Sequence, residues 1–425
     1  MKVRLAYGRS GLDLELPDHC TTVIEPTQLP GLLDEYRAIR EACRHPVDSA
    51  PLQELVSASQ KIAISICDVT RAIPTGRILP ALLESIGPVA PENVTLLVAT
   101  GTHRATTDAE LERMLGAEIL GQYRVLNHDC QATDSLVDLG RSDAGVPVWL
   151  NRTWMESDIR ITVGFVEPHF FAGFSGGPKM VAPGLAGLET ILELHSARLI
   201  GDARSTWGET GQNPIHSEIR KIAARSGVTF ALDVTLNRRL ELTGVFAGEL
   251  FSEHGQACAR VKETAMQQVE APFDIVVTTN SGYPLDLNLY QSVKGMSAAA
   301  RIVKPGGTII CAAECSDGVP NHGEYGRLLA STQGPEEILE LVNSPGFSCQ
   351  DQWQAQVQAM VQSKAEVLLK SSGLEEQAVR QAQFVPIDSI EEAVAERLER
   401  LGPTASICVL PEGPQTIPYL EPAIC

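Results

Sequence analysis

Residues 159–187 read IRITVGFVEPHFFAGFSGGPKMVAPGLAG. The stretch opens with a strand-like apolar run, 159–163, that ends in a turn, and a histidine, a glycine-rich bend and a lysine follow closely. Successive small residues let a backbone approach a ligand, and their free N–H groups can cradle a phosphate. His169, Gly173, Gly176, Gly177 and Lys179 therefore mark a place where a phosphate-bearing group could be held and used.

Working outward, the same pattern of a short apolar run followed by a polar turn recurs. Ile62–Cys67 leads into DVTR with Asp68 and Arg71, and Val94–Ala99 leads into TGTHR with His103. Further runs at 275–278, 307–312 and 407–410 alternate with helical patterns at 335–342, 352–369 and 390–401. Alternating strands and helices predict an α/β fold with mostly parallel sheets. At 425 residues the chain fits two α/β domains. A polar helix-like stretch at 261–272 places the boundary near 270: an N-terminal domain over 1–270, a C-terminal domain over 271–410, and a Pro-rich tail, 411–425, packed on one of them.

Hydrophobic content of 44% and charged content of 20% describe an ordinary globular chain. The net charge of -19 argues against a nucleic-acid or anionic-membrane partner, which would require a basic face. No apolar run approaches the ~20 residues that span a bilayer, and MKVRLAYGRSGLDLELP lacks the apolar core of a signal peptide. The ten cysteines lack paired spacing, and Cys67, Cys311 and Cys408 sit in apolar runs, as reduced thiols do. A cytoplasmic location is expected.

Ligands of open parallel sheets bind beyond the carboxyl ends of the strands. Asp68, Arg71, His103 and His169 all follow such ends, so an active-site crevice between the domains is expected there. Singly, each has an ordinary reading: a turn-capping Asp, a surface Arg, a helix-capping His, a loop His. A helix over 188–200 carries an apolar stripe, Leu188, Ile191, Leu192 and Leu199, on which His195 falls. That histidine is either a core residue or a metal ligand. After 275–278, NSGYPLD leads into a helix bearing Tyr290, Gln291 and Lys294, whose phenol, amide and ammonium suit a small carboxylate.

DVTR, ATGTHR, EPHFFAGFSGGPK, His195 and LYQSVKG together resemble the nickel-dependent lactate racemase family. The spacing agrees, with ten residues from His169 to Lys179 and sixteen from Lys179 to His195. The resemblance implies an isomerase that racemises or epimerises 2-hydroxy acids by proton-coupled hydride transfer. Its implied cofactor is a nickel-pincer nucleotide, the nickel complex of pyridinium-3-thioamide-5-thiocarboxylic acid mononucleotide, in which two sulfurs and one ring carbon bind the metal. By similarity, Lys179 is the covalent tether, His195 the protein's nickel ligand, and His103 and His169 the acid/base pair. Asp68 and Arg71 then surround the substrate hydroxyl and the first histidine. Tyr290, Gln291 and Lys294 are substrate or cofactor contacts, and Trp353 stands where the family has a cofactor-pocket tryptophan. Cofactor-synthesis enzymes are implied as partners, and the glycines at 173, 176 and 177 are expected to seat the cofactor phosphate.

The chemistry is consistent with such a set. The α-proton of a 2-hydroxy acid is very weakly acidic beside an ionised carboxylate, whereas hydride loss coupled to hydroxyl deprotonation yields a flat 2-keto acid. Hydride can return to either face, so a base is wanted on each side. Phe170 and Phe171 either close a pocket around a lactate methyl or belong to the core. A second carboxylate, as in malate, would call for another cation such as Arg77 or Arg104. Two other readings use the same residues: a zinc metallohydrolase built on His103, His169, His195 and Asp68, and a non-catalytic nucleotide or carboxylate binder.

Overall fold

The structure is a computed structural model that describes residues 1–320 and 323–420. It divides into two compact units, one formed by Gln28–His195 and Ala203–Glu263, the other by Met1–Thr27, Ser196–Asp202 and Thr264–Cys425. Residues 271–410 all lie in the second unit, where Met1–Thr27, Ser196–Asp202 and residues 264–270 are grouped with them.

The first unit is built on a six-stranded sheet in the order Leu242–Gly248, Phe230–Leu236, Ile159–Phe165, Ile62–Cys67, Val94–Ala99 and Arg124–Asn127. All neighbours are parallel except the edge pair Phe230–Leu236 and Leu242–Gly248. Ile62, Ile64 and Ile66 pack with Leu96, Val98, Ile161, Val163, Leu232 and Val234 in one buried core. Burial on both faces is why these strands are predominantly apolar. From Ile62–Cys67 the chain adds strands on one side, and from Ile159–Phe165 on the other. The strand order thus reverses between these two neighbours, the place where an open α/β sheet leaves a crevice.

The second unit repeats the architecture, with six parallel strands in the order Val385–Pro386, Glu366–Lys370, Val303–Ala312, Phe273–Thr279, Ile407–Leu410 and Thr21–Val23. Met266–Val269 pairs in parallel with Ile417–Leu420 of the tail, whose residues 421–425 lie outside the described residues. The expected α/β fold with mostly parallel sheets is what the molecule has. No helix among the described residues is long and apolar enough to cross a membrane.

Three expected elements differ. The helix over 188–200 is two helices, Leu188–Leu194 and Ala197–Ile200, because His195 ends the first and Ser196 is extended. The helical reading of 352–369 stops at Lys364, where Glu366–Lys370 becomes a central strand. The stretch 261–272 is the end of helix Leu250–Ala265 followed by the strand Met266–Val269.

Candidate active site

The turn after Ile62–Cys67 presents Asp68, whose side chain is buried. Its Oδ2 lies 2.6 Å from His103 Nδ1, and its Oδ1 accepts from the Thr70 hydroxyl at 2.7 Å. Burial works to raise the Asp68 pKa, but the charge and hydrogen bond of His103, the Thr70 hydroxyl and Arg71 outweigh it and hold it below the ordinary value. Asp68 therefore stays ionised and takes the Nδ1–H of His103, which leaves the lone pair on Nε2. Thr107 and Glu110 form the capping box of the next helix, Asp108–Leu115, so His103 is not used as its cap. Arg71 pairs with Glu167 at 3.0 Å, a partner that sequence reading passed over.

His169 lies in a short hairpin, Pro168–His169 against Gly173–Phe174. It is buried, stacked on Phe170 at 4.9 Å and edge-on to Phe171 at 4.5 Å. The Ala172 N–H donates to His169 Nδ1 at 3.3 Å, so a neutral ring carries its proton on Nε2. His103 and His169 are thus held in opposite tautomers, with the lone pair of one and the proton of the other on Nε2.

Phe171 joins the remaining candidates. Its ring lies 5.0 Å from the His195 ring in an edge contact, and Lys179 Nζ lies 5.7 Å from its centroid. His195 is buried, and its Nδ1–H donates to the Ile191 carbonyl at 2.7 Å. Burial, with a smaller push from the charge of Lys179, takes its pKa down to about 4 against the pull of the Ile191 bond. A neutral imidazole whose Nδ1–H is used in this way offers Nε2 as a ligand atom. The two phenylalanines, read as pocket or core, are both buried, and Phe171 is also the common wall of three functional candidates.

The glycines of the bend have close packing neighbours. Gly173 has φ +80, and a Cβ there would lie 2.2 Å from the Glu209 carbonyl oxygen. Gly177 has φ +46, and a Cβ there would meet the His254 ring at 2.4 Å. The Gly177 N–H donates to Asp233 Oδ2 at 2.8 Å, so this amide already serves a carboxyl group. Asp233 was missed in the sequence; the signal was an acid inside the apolar run FALDVTL. Burial raises its pKa to about 7, against the lowering effect of the Gly177 bond. Glu253, His216 and His254 are buried nearby and neutral by the same cause: burial raises Glu253 well above its usual range and lowers His216 to about 3 and His254 to about 4.

In the second unit, Asn288 caps helix Leu289–Ala299, which carries three candidates. Trp353 Nε1 donates to the Tyr290 hydroxyl at 2.9 Å, and Lys294 Nζ donates to Gln291 Oε1 at 2.6 Å. Trp353 with Tyr290 and Lys294 with Gln291 form two polar pairs. Arg104 is bound to both carboxylate oxygens of Glu110 at 2.6 and 2.7 Å, and Arg77 is paired with Glu35 at 3.1 Å. Among the described residues, no group of three or more His, Cys, Asp or Glu is placed to hold a metal ion.

Comparison with known proteins bears on this arrangement. The family model of the lactate racemase N-terminal domain matches residues 7–208, and that of the lactate racemase C-terminal domain matches residues 268–417. The chain is 32% identical over 421 residues to a lactate racemase of Thermoanaerobacterium thermosaccharolyticum, covering 98% of each protein. It is 34% identical over 385 residues to a lactate racemase of Lactiplantibacillus plantarum, covering 90% of each. The lactate racemase apoprotein structure from Thermoanaerobacterium thermosaccharolyticum superimposes with a TM-score of 0.93 at 31% identity, over 99% of this chain and 100% of that one. A Thermotoga maritima crystal structure at 19% identity, with a TM-score of 0.70 over 91% of this chain and 98% of that one, shares the fold. With both family models matched and full-length relatives above 30% identity, the chain belongs to the lactate racemase family, a family of isomerases.

Proposed function

We propose that this protein racemises lactate, or a 2-hydroxy acid of similar size, with His103 and His169 as the acid/base pair. The observation that carries this reading is their opposite tautomers: Asp68 directs the His103 lone pair to Nε2, while Ala172 N–H directs the His169 proton to Nε2. A racemase needs one group to take the hydroxyl proton and a second to return one on the opposite face, and the two must exchange roles with the direction of reaction. A protein that merely binds carboxylates gains nothing from a buried carboxylate orienting a histidine.

The residues present fit a nickel-pincer nucleotide. His195 is a buried neutral imidazole with its Nδ1–H committed to Ile191, suited to ligate through Nε2, and Lys179 is on the same Phe171 wall to serve as tether. The absence of a denser ligand group among the described residues suits a metal whose other ligands come from the cofactor, and a zinc hydrolase would need at least three protein ligands. When bound, the cofactor would supply the acceptor for the hydrogen on C2. The bend glycines would then shape the wall beside the tether. Arg71, held by Glu167, would steady the substrate hydroxyl. In the second unit, Tyr290, Gln291 and Lys294 carry the phenol, amide and ammonium that suit a carboxylate.

Lactate is favoured over malate because the two arginines singled out for a second carboxylate are already paired. Arg104 is chelated by Glu110 and Arg77 is paired with Glu35, so neither is offered to a second carboxylate. The test is a chiral assay across lactate, malate and larger hydroxy acids, using protein made alongside cofactor-synthesis enzymes and checked by intact mass and nickel content. Racemisation of lactate with an adduct on Lys179 is expected. Nickel-loaded protein with Lys179 unmodified and both enantiomers of every acid unchanged would sink the proposal.

A further inference from the structure

The bend that carries Lys179 rests on a buried polar platform that takes no part in the acid/base chemistry. Ser175 Oγ donates to the Phe165 carbonyl at 2.6 Å, and the Ser175 carbonyl accepts from His254 Nε2–H at 2.9 Å. Gly177 N–H donates to Asp233 Oδ2 at 2.8 Å. Just past the lysine, the Met180 carbonyl accepts from Ser65 Oγ at 2.8 Å, and the Lys179 carbonyl accepts from Gly184 N–H at 3.1 Å. Lys179 is thus fixed through its backbone on both sides, while its side chain is half-buried.

The platform is also in steric contact with the bend. A Cβ on Gly176 would lie 2.9 Å from Asp233 Oδ2, and one on Gly177 would lie 2.4 Å from the His254 ring. Both glycines are left-handed, at φ +72 and +46. Any side chain on this path would be strained and would push against these two groups. The arrangement is costly to stability. Asp233 Oδ1, both Glu253 carboxyl oxygens and His216 Nδ1 have no hydrogen-bonding partner among the described residues, although all are buried. Aliphatic side chains would spare those unpaired carboxyl oxygens but would leave the Gly177 N–H and the Ser175 carbonyl without their partners.

We infer that Asp233 and His254 are positioning residues for Lys179: the Asp233 carboxyl and the His254 imidazole grip Gly177 N–H and the Ser175 carbonyl, and so fix the direction in which the Lys179 amine leaves the bend. Two point contacts with opposite hydrogen-bonding sense, an acceptor below one peptide and a donor below its neighbour, prevent the Ser175–Gly177 peptides from flipping. The lysine two residues on from Gly177 is then presented in one orientation for attachment. The inference rests on the reading of Lys179 as the tether, and its test separates the two.

The measurement is the rate at which Lys179 in the cofactor-free protein is labelled by formaldehyde and cyanoborohydride, mapped by peptide mass, beside the intact-mass adduct formed when cofactor-synthesis enzymes are present. Asp233→Asn keeps an acceptor for Gly177 N–H and His254→Gln keeps a donor for the Ser175 carbonyl, whereas Asp233→Ala and His254→Phe keep neither. The first pair should label within about threefold of wild type, and the second pair should differ by about tenfold or more, the scale on which small misplacements of a reacting group are felt. Adduct yield should follow the same order. If wild type carries no adduct but the labelling still splits in this way, the tether reading falls and the positioning role stands. Equal labelling of all four variants and wild type overturns the positioning role. Should the disruptive variants fail to fold, amide exchange in wild type decides: Gly177 N–H is expected to be strongly protected, and exchange at an open-loop rate also overturns it.

Discussion

His103 Nδ1 lies 2.6 Å from Asp68 Oδ2, and this contact decides which ring nitrogen of His103 can take a proton. Replacing Asp68 with Asn would free the ring to adopt the other tautomer and remove the charge that stabilises its protonated form. We expect kcat for lactate to fall roughly a hundredfold or more, the usual scale for misoriented acid/base groups. The check is kcat on protein whose cofactor loading matches wild type by mass. The same substitution should alter acid stability. Asp68 is held below its ordinary value of 3.8, so its contribution to folding is present above that pH and is lost as pH falls through the lower folded value. Denaturation midpoints below pH 4 should therefore depend less on pH in Asp68→Asn.

Phe171 touches the His169 and His195 rings and lies beneath Lys179 Nζ. Phe171→Ala should cost about 3–5 kcal/mol of stability, as large truncations in a packed core do. Phe171→Leu should keep the fold yet loosen all three partners, lowering kcat more than it changes KM. A stable Phe171→Leu with wild-type kcat would show that the shared wall is only packing.

The buried groups behind the bend give opposite pH slopes. Asp233 has its pKa raised by burial from 3.8 to about 7, so its contribution to stability is full below pH 3.8 and declines as pH rises to about 7. The stability of Asp233→Asn relative to wild type should therefore increase from about pH 4 to about pH 7 and then level. His254 is lowered by burial from 6.5 to about 4, so its contribution is full above 6.5 and is lost as pH falls toward 4. Relative to wild type, His254→Gln should become less stable as pH rises across that window. Urea titrations at a series of pH values would read both, and slopes of the same sign would contradict the assignment of both groups as buried and neutral.

In the second unit, Trp353 Nε1 donates to the Tyr290 hydroxyl at 2.9 Å. Tyr290→Phe removes that acceptor from a buried indole, an expected loss of about 1–3 kcal/mol. The Trp353 indole N–H resonance should shift and exchange faster, with the Lys294–Gln291 contact intact. An unshifted resonance would mean that the pair does not form in solution.

Much of this was legible from residue order. Ile62–Cys67, Val94–Ala99 and Ile407–Leu410 are mostly apolar runs, broken only by Ser65 and Thr95, because both faces of a parallel strand are buried. Phe230–Leu236 was hidden by Asp233, a buried acid where a strand reads best with none, and Glu366–Lys370 was hidden because its apolar residues continue the preceding helix pattern. His195 was recognisable from its spacing, but its place at a helix end was not. At that end the Ile191 carbonyl accepts both the backbone N–H and the side-chain Nδ1–H of His195, and Ser196 turns extended.

The sequence by itself determined the α/β class and the family, and it marked the candidate site residues, because strand periodicity and the residues just after strand ends are local properties. Only the tertiary structure decided how those side chains are held. The tautomer of His103 depends on a residue 35 positions earlier, the wall around His169, Lys179 and His195 on one phenylalanine ring, and the seat of the bend on Asp233, 56 positions beyond Gly177. Hydrogen-bond direction and burial are set by neighbours in space, and for the stretch at 159–187 those neighbours come from distant strands and helices.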